Sequence, residues 1–262
     1  MRIATWNINS LRLRLPSLRR VVNNLKPDVI CLQETKVENS LFPLDKVKAL
    51  GFDHVLFQGM KSYNGVAILS RVPLFKMRKK LWCGNDDCRH LSARFSSGTE
   101  LHNFYVPAGG DIPNPQENAK FAHKLDFISE MADWFSKKRP GGRILVGDLN
   151  IAPLATDVWS HKQLLNVVSH TPAEVEGLER VMKSHQWVDA VRHFIPPSEK
   201  LYTWWSYRNR TWPGSDRGRR LDHIWVTPSL NKYLKKAQVF QNARGWEKPS
   251  DHVPVVVDMA ID

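Results

Sequence analysis

Polar side chains that could perform chemistry stand at the ends of short apolar runs along the chain. They are Asn7 in TWNIN, Glu34 in LQETK, Asp148 and Asn150 in GDLN, Asp222 in RRLDH, and Asp251 with His252 in SDHVP. Because the strands of α/β proteins commonly position loop residues at one edge of a sheet, we expect these side chains to converge. Their carboxylate and amide oxygens are hard ligands, which suit Mg²⁺ or Mn²⁺ and do not suit zinc.

The imidazole of His252 adds a group that can act as an acid or stabilise charge. Carboxylates, one hard cation and an imidazole are the parts needed for metal-assisted hydrolysis of a phosphodiester, with a carboxylate orienting or activating the attacking water. Each residue alone has a simpler explanation. Glu34 is compatible with a surface position, and both Gly-Asp-Leu-Asn and Asp251-His252 are compatible with turns or caps. Their recurrence at several strand ends favours a site.

The elements that must position these residues are short apolar runs rich in Val, Ile and aromatic residues, which predict strands. The clearest runs include Ile3–Trp6, Val29–Leu32, Leu101–Val106, Ile144–Val146 and Val253–Met259. Strands predicted in this way outnumber those of simple βαβ alternation. We therefore expect an α/β fold with two packed mixed β-sheets flanked by helices, a four-layer α/β sandwich.

Helical signals lie between the apolar runs. Pro16 suits the first turn of a helix that Pro27 ends, and residues Gln116–Lys138 place apolar side chains on one stripe. Thr171-Pro172-Ala173-Glu174 is a capping box that opens a helix reaching about His185. Since no linker or repeat interrupts the pattern, we expect a single domain over residues 1–262.

The charge of the chain suggests an acidic partner. The 262 residues carry a formal net charge of +12, and residues 200–250 hold eleven Lys or Arg against three acids, together with several tryptophans. Basic side chains neutralise phosphates and aromatic ones stack on bases, so this block favours nucleic acid over a plain solvated surface. No apolar stretch is long enough for a membrane span, and we expect a cytoplasmic protein without membrane contact.

Three cysteines are too few for a disulfide framework, which fits a reducing compartment. Cys83, Cys88 and His90 resemble part of a metal cluster, but their spacing and the lack of a fourth ligand argue against zinc.

The motifs resemble those of the exonuclease III family of abasic-site endonucleases, within the endonuclease/exonuclease/phosphatase superfamily. QET, GDxN and SDH are shared across the superfamily, whereas NIN, the segment YVPAGG around Tyr105, WVDAVR, and the block from YTWWSYR to RGRRLD indicate its DNA-repair branch. The resemblance spans essentially the whole chain.

The resemblance implies a role for each site residue. Glu34 would be the main ligand of Mg²⁺ or Mn²⁺, with Asn7, Asp251 and the neighbouring Asp148, Asn150 and His252 completing the metal set. Asp148 would activate the water, with Asn150 fixing its geometry, although His252 remains an alternative activator. His252, held by Asp222, would stabilise charge on the phosphoryl group, and Tyr105 would donate a hydrogen bond to the phosphate. Asn9 replaces a carboxylate found in some relatives, which weakens the case for a second tightly held metal.

The implied substrate is double-stranded DNA with abasic sites or blocked 3′ ends, cleaved 5′ to the abasic site by a monomer. Trp204, Trp212 and Leu221 would line an apolar pocket for a flipped, baseless sugar, or the tryptophans are simply core residues. Arg89, Lys120, Arg217 and Arg219 would contact phosphates, or are solvated surface charges.

Two alternatives remain open: another phosphoesterase of the superfamily acting on lipid or sugar phosphates, and a catalytically inactive nucleic-acid-binding member. The sequence does not separate abasic-site incision from 3′-exonuclease and 3′-phosphatase activity.

Overall fold

Two six-stranded mixed sheets lie face to face in the computed structural model, which describes residues 1–137, 141–208 and 211–261. In chain order the strands are β1 (Arg2–Asn7), β2 (Val29–Gln33), β3 (His54–Gln58), β4 (Val66–Ser70), β5 (Phe75–Arg78), β6 (His90–Arg94), β7 (Glu100–Tyr105), β8 (Arg143–Asp148), β9 (Val188–Asp189), β10 (Trp204–Trp205), β11 (Gly218–Arg219), β12 (Asp222–Val226), β13 (Leu234–Val239) and β14 (Val255–Met259). The first sheet has the order β13-β14-β1-β2-β4-β3, the second has the order β5-β6-β7-β8-β12-β9, and β10 pairs with β11.

The helices are α1 (Leu15–Leu25), α2 (Leu44–Lys48), α3 (Ala119–Ser136), α4 (His161–Leu164), α5 (Pro172–Ser184) and α6 (Pro228–Asn231). Helices α1 and α2 cover the outer face of the first sheet, α3 and α5 cover that of the second, and α4 and α6 are single turns at the margins. Thr171 caps α5 through the predicted capping box, and Pro16 lies in the first turn of α1 as predicted. The helix predicted over Gln116–Lys138 is the shorter α3, and Lys138 lies outside the described residues.

The expected four layers are confirmed by the way each strand buries its two faces. Ile144 and Val146 of β8 face the core between the sheets, whereas Leu145 packs under α3 and α5. On the first sheet, Ile3 joins the central core and Trp6 packs under α1. Burial on both faces explains why these strands read as continuous apolar runs rather than alternating ones.

The strand directions bring the ends that carry polar residues to one edge of the sandwich. β1 runs parallel to β2, and β7 runs parallel to β8, so Asn7, Glu34, Tyr105 and Asp148 all stand at carboxyl ends. β12 is antiparallel to β8, and its first residue, Asp222, pairs with Asp148. β14 is antiparallel to β1, which places the segment before it at the same edge.

Among the described residues, no helix is both long and apolar enough to cross a membrane.

Candidate active site

A polar cluster of Asn7, Glu34, Asp148, Asn150, Asp222 and His252 forms at the edge where the strand ends meet. The amide Nδ2 of Asn7 donates to Glu34 Oε1 and to Asp148 Oδ2, both at 2.9 Å, and so joins the first sheet to the second. Trp6 lies next to it and donates from its indole to the His252 carbonyl, 3.0 Å away. The C-terminal segment is thereby fixed against the end of β1.

Both carboxylate oxygens of Glu34 lie beside hydrogen-bond donors. Tyr105 donates its hydroxyl to Glu34 Oε1 over 2.8 Å, and Lys36 Nζ lies 2.7 Å from Oε2. Burial alone would raise the pKa of Glu34, but the Lys36 charge and the hydrogen bonds from Asn7, Lys36 and Tyr105 outweigh it and lower the pKa. Burial, together with the charges of Glu34 and Asp148, raises the pKa of Tyr105 well above its ordinary value, so its phenol remains a hydrogen-bond donor.

Asp148 is buried at the centre of the polar cluster. Its Oδ1 accepts the backbone N–H of Asn150 at 2.9 Å, and its Oδ2 accepts the Asn150 side-chain amide at 3.2 Å. The imidazole Nε2 of His252 lies 3.6 Å from the same Oδ2. Burial raises the pKa of Asp148 to about 7, against the opposing charge of His252.

His252 is held on its other side by Asp222. Its Nδ1 lies 2.8 Å from Asp222 Oδ2, which also accepts the Thr203 hydroxyl at 2.6 Å. Burial would lower the pKa of His252, but the carboxylates of Asp222 and Asp148 outweigh it and raise the pKa to about 10. The imidazole is therefore positively charged at neutral pH.

Three side chains with possible metal-ligand atoms lie close together at this edge. Ligand atoms of Asp148, Asp222 and His252 lie within 4.8 Å of one another, and this is the one such group among the described residues. The ammonium of Lys36 beside Glu34 shows that the Oε2 position also accepts positive charge. Cys83, Cys88 and His90 form no comparable group within the described part of the chain.

Asp251 joins the polar cluster indirectly. Its Oδ1 accepts the Asn9 amide at 2.9 Å and its Oδ2 accepts the Trp204 indole at 3.0 Å, while Lys36 donates to Asn9 Oδ1 at 2.7 Å. Burial would raise the pKa of Asp251, but the His252 charge and these hydrogen bonds lower it. Asn9 and Lys36 thus link Asp251 to Glu34.

A cavity of about 960 Å³ opens beside the polar cluster. Trp204 and Leu221 line it, and Arg217 and Arg219 stand on its wall. The Arg219 guanidinium lies 5.2 Å from the Trp204 ring centroid. Trp159, which belongs to none of the sequence motifs, lines the cavity under Arg217, whose guanidinium is 4.8 Å from its ring.

Trp212 packs edge-on against Trp205 at 6.0 Å and beside Gly245, which matches the core position left open for it and not the cavity lining. The chain turns there, so its neighbour Thr211 lines the cavity in its place. Arg89 lies over the Tyr105 ring at 4.9 Å and is ion-paired with Asp87, so its charge is partly neutralised. Lys120 is exposed at the start of α3.

Sequence and structure comparisons identify the family of the chain. The chain matches the Endonuclease/Exonuclease/phosphatase family over residues 4–252. It is 29% identical to exodeoxyribonuclease III of Haemophilus influenzae, over 97% of this chain and 98% of that protein. It is 28% identical to an exodeoxyribonuclease of Bacillus subtilis, again over 97% and 98%.

Solved structures superimpose over the whole chain. An AP endonuclease from Archaeoglobus fulgidus has a TM-score of 0.92 at 32% identity, covering 100% of both chains. A 3′ phosphatase from Neisseria bound to a product DNA hairpin has a TM-score of 0.91 at 29% identity, also covering 100% of both. The resemblance to exonuclease III and the two-sheet fold are thereby confirmed, and the chain belongs to the endonuclease/exonuclease/phosphatase family.

Proposed function

We propose that this protein is a Mg²⁺-dependent DNA-repair phosphodiesterase that cleaves duplex DNA 5′ to abasic sites and processes 3′ ends. The observation that supports this most is Asp148, buried between the amides of Asn7 and Asn150 and the charged imidazole of His252, beside a cavity with arginine and tryptophan walls. Relatives that are an AP endonuclease and a 3′ phosphatase bound to DNA support the substrate class.

Asp148 is the proposed base for the attacking water. Burial raises the pKa of this carboxylate toward neutral pH, which is where general bases work best. Asn150 holds the carboxylate by both its backbone and its side chain. His252, with a pKa of about 10, is already protonated and therefore stabilises charge on the phosphoryl oxygens instead of activating water.

We propose that Glu34 and Asn7 hold the metal ion, with Asp148, Asn150 and Asp251 as its further neighbours, whereas the protonated imidazole of His252 has no lone pair left for a metal. When bound there, Mg²⁺ would neutralise phosphate charge and stabilise the departing 3′ oxygen. Tyr105 keeps its proton and is aimed at Glu34, so it can donate to a phosphate oxygen that enters the same space.

Trp204 and Leu221 are the proposed contacts of an extruded sugar, with Arg217 and Arg219 as phosphate contacts at the cavity wall. Arg89 and Lys120 are proposed phosphate contacts farther from the polar cluster. We also propose that residues 1–262 form one domain, because the inner faces of both sheets share one core. The proposed compartment is the cytoplasm, which fits the three free cysteines.

The test is an incision assay on matched duplexes that are intact, carry one abasic site, or end in a 3′-phosphate, each with chelator and with added Mg²⁺. Inositol phosphate serves as a substrate for the rival phosphatase function. We expect cleavage of the abasic and 3′-blocked duplexes only with metal. Turnover of inositol phosphate without cleavage of any duplex would contradict the proposal.

A further inference from the structure

A buried ion pair lies directly behind the candidate active site. Lys124 of α3 and Glu174 of α5 hydrogen-bond to each other, and both side chains are 0% exposed. The two helices already pack through apolar residues such as Phe127, Ile128 and Leu178. Because desolvation largely offsets the attraction within a buried ion pair, stability alone is a weak reason for this pair to be present.

The remaining donors of Lys124 point toward the polar cluster. Its ammonium donates to the Asn150 carbonyl at 2.8 Å and to the Ala108 carbonyl at 3.2 Å. Asn150 has a φ of 55°, a left-handed conformation that is uncommon outside glycine and must be held by its surroundings. Since Asn150 in turn holds both oxygens of Asp148, Lys124 fixes the loop that aims the proposed base.

Glu174 extends to the wall of the cavity. Its two oxygens accept the Ser169 backbone N–H at 2.9 and 2.8 Å. Ser169 has a φ of 90°, and its hydroxyl accepts a hydrogen bond from Arg219 Nη1 at 2.7 Å. Arg219 lies over Trp204, so the carboxylate of Glu174 fixes the residue that supports this part of the wall.

We propose that the Lys124–Glu174 pair is a positioning device that fixes the Asp148–Asn150 loop and the Ser169–Arg219 wall relative to each other. Neither residue touches the reacting atoms. The inference rests on the proposed function, because the pair would align Asp148, the proposed base, with the nucleotide in the cavity. Misplacement of a reacting group by about 1 Å can cost about 100-fold in rate, so a rigid link between the two parts has a large effect.

The test compares Lys124→Met with the double variant Lys124→Met/Glu174→Gln. Methionine keeps the aliphatic stem of Lys124 but removes its donors, and glutamine in the second variant removes the unpaired buried charge. The double variant should regain much of the free energy of unfolding measured in urea. We expect both variants to lose kcat by about 100-fold on the 3′-phosphate duplex, with KM unchanged.

A matched control lies on the surface of the same helix α5. Lys183 and Glu179 form an ion pair with side chains 77% and 53% exposed, and Lys183→Met/Glu179→Gln should leave kcat and the unfolding midpoint unchanged. A double variant of the buried pair that regains kcat together with stability would show a purely structural role and overturn the proposal.

Hydrogen exchange of the backbone amides gives a readout that does not need activity. The Asn150 amide, bonded to Asp148, should exchange faster in the double variant, whereas amides inside α3 and α5 should not. If the wild type cleaves no duplex, the proposed function fails on its own. Unchanged exchange at Asn150 would then still overturn the positioning role.

Discussion

Replacing Asp222 by asparagine tests the charged state of His252, on which the proposed chemistry depends. The Asp222→Asn substitution keeps the size of the side chain but removes the carboxylate closest to the imidazolium of His252. In the wild type this carboxylate lies 2.8 Å from Nδ1. The exposed fractions of the His252 and Asp222 side chains are 4% and 0%, so water cannot replace the lost partner. One oxygen of Asp222 has no hydrogen-bond partner among the described residues, so the His252 charge and the Thr203 hydroxyl carry most of its stabilisation.

The expected loss is large for a single substitution. Removing one member of a buried ion pair costs about 3–5 kcal/mol in the free energy of unfolding. For a chain of this size that corresponds to a melting temperature lower by on the order of 10 °C. The pKa of His252 should also fall, so that less of the imidazole is charged at neutral pH and kcat falls with it.

The pH dependence of the free energy of unfolding shows whether the lost stability comes from the charge of His252. The folded pKa of His252 is raised from 6.5 to about 10, so pairing stabilises the protein fully below 6.5 and loses this contribution as the pH rises through about 10. The difference between wild type and Asp222→Asn should therefore be largest below pH 6.5 and shrink toward pH 10. Above that pH it should reverse, because the wild type then keeps a buried carboxylate beside a neutral ring.

Urea unfolding followed by tryptophan fluorescence at a series of pH values measures this difference. The control is Asp258→Asn, which breaks a surface pair with Arg2 in which the Arg2 and Asp258 side chains are 40% and 27% exposed. Asp258→Asn should lower the free energy of unfolding by less than about 1 kcal/mol, with no trend over the same pH range. A constant difference for Asp222→Asn across that range would refute a charged His252 in the folded protein.

Three further changes probe the metal and the DNA surface. Glu34→Gln should lower the initial cleavage rate by at least about 100-fold while fluorescence anisotropy shows DNA binding retained, and near-normal cleavage would remove Glu34 from the metal site. Lys36→Met should tighten Mn²⁺ binding by more than about tenfold, as measured by electron paramagnetic resonance. The reason is that the substitution removes the repulsion between the Lys36 ammonium and the cation, and two charges about 4 Å apart interact by on the order of 4 kcal/mol near a protein surface. An unchanged dissociation constant would mean that Lys36 does not compete for Glu34 Oε2. Arg217→Met should reduce the slope of log binding constant against log salt by about one, and an unaltered slope would exclude a phosphate contact.

The sequence predicts the fold well where a strand is buried on both faces. Ile144–Val146 stands out because every residue must be apolar, and it lies within β8. β5 was not predicted, since all its residues are exposed and Lys76 adopts a left-handed backbone that interrupts the alternation. Such an edge strand is defined by its partner β6 and not by its own pattern.

The site was predictable where chemistry and strand ends coincide, as for Glu34, Asp148 and His252. Lys36 was not assigned a role although it belongs to LQETK, because its function depends on contacts with two other segments. Lys124 lies on the buried side of α3 where the helical pattern favours apolar residues, and only Glu174 of another helix makes its burial possible. Trp212 stayed open between the cavity and the core, because the path of its turn decides which side chain reaches the cavity.

The position of β1 has a consequence for synthesis of the protein. β1 lies between β2 and β14, and its pairing with β14 joins residues as far apart in the sequence as Arg2 and Asp258. During synthesis β1 must therefore wait, with one edge unpaired, until β14 has emerged, and His252 joins the end of β1 only then. The polar cluster is incomplete until that stage, and pairing over such a long sequence separation makes this closing step slow.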